Sequence, residues 1–170
     1  MKYFRCFLLV SIAFLGLSSN KSGVTQPSEG IYPGDLFADI KNLENVSGTT
    51  VNLSDFRGQK VLVNLWAAYD ASSHRDNVLL ANVIEQKAYP LTMVSLSFDH
   101  SKSVFERTVS MDAIGNDNSY QFLLDRQSQD DLFKRCRLDK GFKNYLINED
   151  GLIVAINLTP ESLSQLMNEN

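Results

Sequence analysis

Val61–Arg75, VLVNLWAAYDASSHR, decides how the rest of the chain is read. From Lys60 to Ala68 the residues are almost all apolar, which is the pattern of a strand inside a sheet covered on both faces. The run passes through Trp66-Ala67-Ala68-Tyr69 and stops at Asp70. From about Ser72 to Ala88 the apolar residues change period: Leu79, Leu80, Val83 and Ile84 fall at helical spacing and predict one inward face. Asp70 stands where a helix begins. A carboxylate there accepts bonds from free N–H groups and meets the positive end of the helix dipole, together worth about 1–2 kcal/mol.

Working outward, Leu91–Phe98 is a second apolar strand. A strand, a helix and a second strand in this order predict parallel neighbours joined by a right-handed crossover. Ser103–Ala113 reads as another helix with Val104, Phe105, Thr108 and Val109 inward. Gly115–Ser119 reads as a polar loop, Gln121–Leu124 as a short extended piece and Gln129–Arg137 as a short helix. Phe142–Asn148 and Leu152–Asn157, with the turn Glu149-Asp150-Gly151 between them, form a hairpin. Thr159 should cap a last helix whose first position is Pro160, where proline is favoured. Upstream, Ile31–Ile40 is a turn-rich lead-in, Val51–Leu53 a short strand and Ser54–Gly58 a turn. Parallel strands early and an antiparallel hairpin late predict an α/β sandwich: a mixed central sheet with helices on both faces.

The N-terminus reads differently. Lys2 and Arg5 precede Phe7–Leu17, an apolar run of about eleven residues, the length of a signal peptide and too short to span a bilayer. Gly16, Ser18 and Ser19 supply small residues for cleavage near Ser18–Asn20; an uncleaved anchor is the alternative. Residues 1–19 are thus expected to be a signal peptide, 20–30 a polar linker and 31–170 one domain, exported and periplasmic in a bacterial host. Cleavage would remove Lys2 and Arg5 from 16 basic residues, leaving 14 against 20 acidic, a formal charge of −6. That balance, with no basic block, argues against nucleic acid as a partner. Cleavage also removes Cys6 and leaves Cys136 alone, so the mature chain is expected to hold no internal disulfide.

Five pieces in order and spacing carry a family resemblance. They are Tyr32-Pro33-Gly34-Asp35-Leu36-Phe37, Val51–Gly58, Lys60–Ala68, Val94–Asp99 and Tyr145–Gly151. From about Gly30 to Met167 the chain resembles exported thioredoxin-like proteins, the redoxin or cytochrome-c-maturation type of thiol–disulfide oxidoreductase. The resemblance implies a thioredoxin-like sandwich. It also implies two cysteines at Asp70 and Ser73 and a cis-proline at Phe142, and this chain has none of the three. A carboxylate and a hydroxyl cannot supply the thiolate that exchange needs. A cis bond before a non-proline residue costs about 3–4 kcal/mol, so Lys140-Gly141-Phe142 is expected to be trans.

With the redox positions changed together, the reading is a degenerate member that binds without catalysis and needs no cofactor. The groove that takes extended peptide in active relatives would be formed here by Trp66, Tyr69, Asp70 and Phe142, with an exported protein or extended peptide as partner. Membrane contact is expected only if the signal stays uncleaved. Two alternatives remain open. One is thiol or peroxide-related redox chemistry through Cys136 or a partner's thiol, although Cys136, on a short helix with Leu132 and Phe133, reads as an inert core cysteine. The other is a metal site: Asp70, His74, Asp99 and His100 fall near the carboxyl ends of neighbouring parallel strands, where open α/β sheets bind ligands. Asn45-Val-Ser47, Asn52-Leu-Ser54 and Asn157-Leu-Thr159 match the glycosylation pattern, which matters only in a eukaryotic secretory host.

Overall fold

A computed structural model describes residues 27–114 and 118–169. The expected signal peptide and most of the expected linker lie outside the described residues. No helix among the described residues is long and apolar enough to cross a membrane. Seven strands form one mixed sheet: β1 (Leu43–Asn45), β2 (Thr50–Val51), β3 (Val61–Trp66), β4 (Thr92–Ser97), β5 (Ser119–Leu123), β6 (Asn144–Ile147) and β7 (Ile153–Ile156). Their spatial order is β2-β1-β5-β4-β3-β6-β7. β3, β4 and β5 are parallel, and β6 and β7 form the antiparallel hairpin beside β3. Four helices intervene: α1 (Ala71–Lys87), α2 (Lys102–Asp112), α3 (Arg126–Arg135) and α4 (Pro160–Asn168).

The sheet separates two cores. On one face Val63, Leu65, Leu96, Phe122, Tyr145 and Ile153 pack with the lead-in residues Phe37 and Ile40 and with Leu132 and Cys136 at α3. The other face carries α1, α2 and α4 and is itself divided. Leu62, Met93 and Leu146 pack under Leu80, Ile84 and Leu163, whereas Trp66 packs separately with Phe105 and Val109 of α2. A row of polar residues lies between these two clusters. Asn144, Asn64, Ser95 and Gln121 are direct cross-strand partners on β6, β3, β4 and β5, and all four are buried. Asn77 of α1, fully buried, is the hub above them. Its Oδ1 accepts from Asn64 Nδ2 at 2.9 Å and from Ser95 Oγ at 2.7 Å, and its Nδ2 donates to Gln121 Oε1 at 3.3 Å.

This row explains where the helix expectations went wrong. The buried stripe of α1 is Ser73, Asn77, Leu80, Ala81 and Ile84, at i, i+4, i+7, i+8 and i+11. Its first two positions are polar, so the apolar residues alone pointed too far around the helix; Leu79 is exposed and Val83 only half-buried. On α2 only Phe105 and Val109 are buried, while Val104 faces solvent and Thr108 is half-buried. Gln121–Leu124, expected as a short extended piece, belongs to β5, an interior strand of the sheet, and β1 was missed because Leu43–Asn45 is too short to show a period. Val51–Leu53 also divides: Leu53 opens a 3-10 turn, Leu53–Phe56. Residues 28–30, read as linker, are tied to the domain, since Leu36 N donates to Ser28 O at 3.0 Å and Gly30 N to Leu36 O at 3.1 Å. Thr159 caps α4 with Pro160 in its first turn, as the sequence indicates.

Candidate functional site

The carboxyl ends of β3, β4 and β5 and the start of α1 meet at one edge of the sheet. Asp70 is the N-cap of α1: its backbone is extended and its Oδ1 accepts from Ser73 N at 2.7 Å. Ser73 is buried, and its hydroxyl ties the strand end to the helix start. It donates to Asp70 O at 3.2 Å and accepts from Ala67 N at 3.3 Å. Both side chains are therefore occupied in closing the strand–helix turn.

The neighbouring loops are held by a second polar cluster. Asp99, buried just past β4, accepts from Ala68 N through both carboxylate oxygens, at 3.0 and 3.2 Å, and from Ser97 Oγ at 2.8 Å. Gln129 of α3 donates to Asp99 O and Leu124 O, each at 3.0 Å, which fixes the ends of β4 and β5 to each other. Asp99, Ser97 and Gln129 thus set the height of the loop that presents Tyr69. Sequence reasoning named only Asp99 among them.

The four residues considered as metal ligands are drawn to different partners. His74 stacks on the Trp66 ring, with centroids 5.6 Å apart, and its Nε2 lies 2.6 Å from Asp112 Oδ2, linking α1 to the end of α2. His100 lies beside Tyr69, and its Nε2 accepts from Arg126 at 3.4 Å. Asp70 and Asp99 hold backbone N–H groups, as described above. No group of three or more His, Cys, Asp or Glu side chains placed to hold a metal occurs among the described residues.

Of the four groove residues, the structure removes one and adds another. Trp66 is 0% exposed, because its side chain falls on the helix face of β3 beneath Phe105 and His74; it supports the site from below and lines no surface. Tyr69 is 67% exposed. Phe142, half-buried, packs against Phe98 at 5.3 Å and reaches Tyr69 at 6.3 Å; no cis peptide occurs among the described residues. His100 joins them through Tyr69, a neighbour the sequence pass had weighed only as a ligand. The result is an aromatic strip along the sheet edge. Burial, then the nearby charges of Asp99 and Asp70, hold the Tyr69 phenol above its usual pKa, so it is a neutral donor at physiological pH.

Cys136 lies elsewhere, at the C-terminal cap of α3 inside the core, 1% exposed. Burial pushes its thiol up by more than the Tyr145 hydroxyl and the Lys143 charge pull it down. The Tyr145 phenol beside it is likewise held well above its usual pKa, first by burial. A protonated, enclosed thiol is a poor nucleophile.

Comparison with known proteins places this geometry. A solved thioredoxin-like protein from Parabacteroides distasonis is 36% identical over 84% of this chain and 99% of its own, with a TM-score of 0.67. The thioredoxin domain of a thiol-disulfide oxidoreductase from Bacteroides vulgatus is 21% identical over 82% of this chain and 98% of its own, with a TM-score of 0.72. A thiol:disulfide interchange protein from Bacteroides sp. is also 21% identical, over 82% of this chain and 90% of its own, at a TM-score of 0.71. The latter two are similar in fold. No family model and no curated protein matches the chain.

Proposed function

The chain belongs to the thioredoxin-like family, and from that premise we propose that it is an exported binding module that does not catalyse thiol–disulfide exchange. The observation that carries the reading is the use made of Asp70 and Ser73. At the start of α1, where oxidoreductases of this resemblance carry their two cysteines, a carboxylate caps the helix and a buried hydroxyl stitches it to β3. The described cysteine, Cys136, is enclosed in the opposite core with its thiol protonated. The surface left for a partner is the strip of Tyr69, His100 and Phe142, held in place by Asp99 and supported by Trp66.

Insulin reduction with dithiothreitol as electron donor is expected to run at its uncatalysed rate in the presence of the mature chain. A thiol reagent should leave native Cys136 almost unmodified and label it at once in denaturant. Acceleration of insulin reduction that disappears in Cys136→Ala would overturn the reading. Export rests on Lys2, Arg5 and the apolar run Phe7–Leu17. Mass spectrometry of the protein from its host should find a chain starting near Asn20; an intact N-terminus on a membrane-bound protein would mean the signal is retained as an anchor.

A further inference from the structure

The aromatic strip is flanked by cations. At one end Arg126, in the first turn of α3, reaches His100. At the other, Lys140 and Lys143 line one crevice with Phe142. Among the described residues none of these three has a carboxylate partner, whereas Arg75, Lys102 and Arg135 all do. The chain as a whole is acidic, at a formal charge of −4, so an aromatic edge bounded by unpaired cations stands against the general charge.

The carboxylates nearby do not cancel it. Asp99 is buried with both oxygens engaged, and Asp125 caps α3 with Oδ1 on Ser128 N and Oδ2 on Ser128 Oγ. Asp76, in the lysine crevice, is paired with Arg75. Asp70 sits on the N-terminus of α1, whose dipole end offsets roughly half a charge. Asp139, exposed beside Lys140, is the carboxylate that opposes the strip.

Resting on the binding reading above, we infer that the partner segment is acidic: an extended peptide with an aromatic side chain against Tyr69 and Phe142 and carboxylates on either side, meeting Arg126 and Lys140. The aromatic contact supplies the buried apolar area, and the flanking charges set specificity and association rate.

The probes are three short extended peptides: one centred on Glu-Phe-Glu, its Gln-Phe-Gln counterpart and its Lys-Phe-Lys counterpart. Binding to the isotope-labelled mature chain is followed by amide shifts of Tyr69, His100 and Phe142. The acidic peptide is expected to bind tightest. R126Q with K140Q should weaken it by about 3- to 10-fold, as for two partly exposed ion pairs, and leave the glutamine peptide unaffected. Added salt should weaken the acidic peptide alone, and Asp139→Asn should tighten it. Equal binding of all three peptides, lost in Tyr69→Ala, would overturn the charge inference and leave the binding reading standing. Tightest binding of the lysine peptide would overturn the inference outright. No shift at Tyr69, His100 or Phe142 with any peptide would overturn the binding reading and this inference together.

Discussion

Replacing Asn77 by alanine is expected to cost about 3–5 kcal/mol of stability, more than any other single polar substitution in this chain. The reason lies in what remains behind. Asn77 receives the Asn64 amide and the Ser95 hydroxyl and donates to Gln121, all in a row shielded from water between two apolar clusters. Alanine leaves two donors and an acceptor without partners, and each unsatisfied buried group costs about 1–3 kcal/mol, with partial relief from rearrangement. Against a total stability of about 5–15 kcal/mol for a domain of ordinary size, that is a large share. The check is denaturant unfolding of the wild type, Asn77→Ala, Asn64→Leu and the double variant. Because Asn64→Leu removes one of the orphaned donors, the double variant should cost clearly less than the sum of the two singles. Additive costs, or a loss under 1 kcal/mol for Asn77→Ala, would show that the row is solvated.

The same row marks the boundary of what the sequence disclosed. The fold was legible because Lys60–Ala68, Leu91–Phe98 and the hairpin around Gly151 carry strong local signals: apolar runs of strand length and a turn with its glycine at positive φ. The cap at Asp70 and the proline start of α4 were legible because helix ends depend on a few neighbouring residues. Asn64, Ser95, Gln121 and Asn144 were not, since each is a lone polar residue in an apolar strand, and only the register aligns them. Trp66 and Tyr69 show the same limit in the site. Their spacing along the chain says nothing of which aromatic ring the α2 helix will cover, and it covers Trp66. His74 and His100 share a plausible edge in sequence, yet Asp112 and Arg126, distant along the chain, decide where each ring goes.

Asp70→Cys with Ser73→Cys is expected to turn a chain without exchange activity into one that forms a disulfide at the start of α1 and reduces insulin slowly. The two positions lie at the N-cap and third residue of the helix, where the Asp70 and Ser73 side chains already converge on the same turn. A thiolate at position 70 would inherit the N–H of residue 73 as a donor and the positive end of the dipole, both of which lower a thiol pKa. The substitution also removes the cap bond and the Ser73 stitch to Ala67, so the reduced form should be less stable than wild type by about 1–3 kcal/mol. The disulfide should recover much of that loss, which makes the oxidised form the favoured one and the variant a weak reductant. Phe142→Pro is the second step. The Phe142 amide serves no backbone hydrogen bond in the loops, and Gly141 before it, at φ 104°, has the freedom that a residue preceding proline needs. Removing the Phe142 ring also strips the cover that Phe98 and Tyr69 share at this edge, opening access to the new thiols. Insulin turnover should therefore rise in the order wild type, double cysteine variant, double cysteine variant with Phe142→Pro, while thermal melting of the reduced proteins falls in the same order. If the double cysteine variant stays reduced in air, the start of α1 does not have the geometry of a two-cysteine site, and Asp70 and Ser73 are not in the place of the family's cysteines.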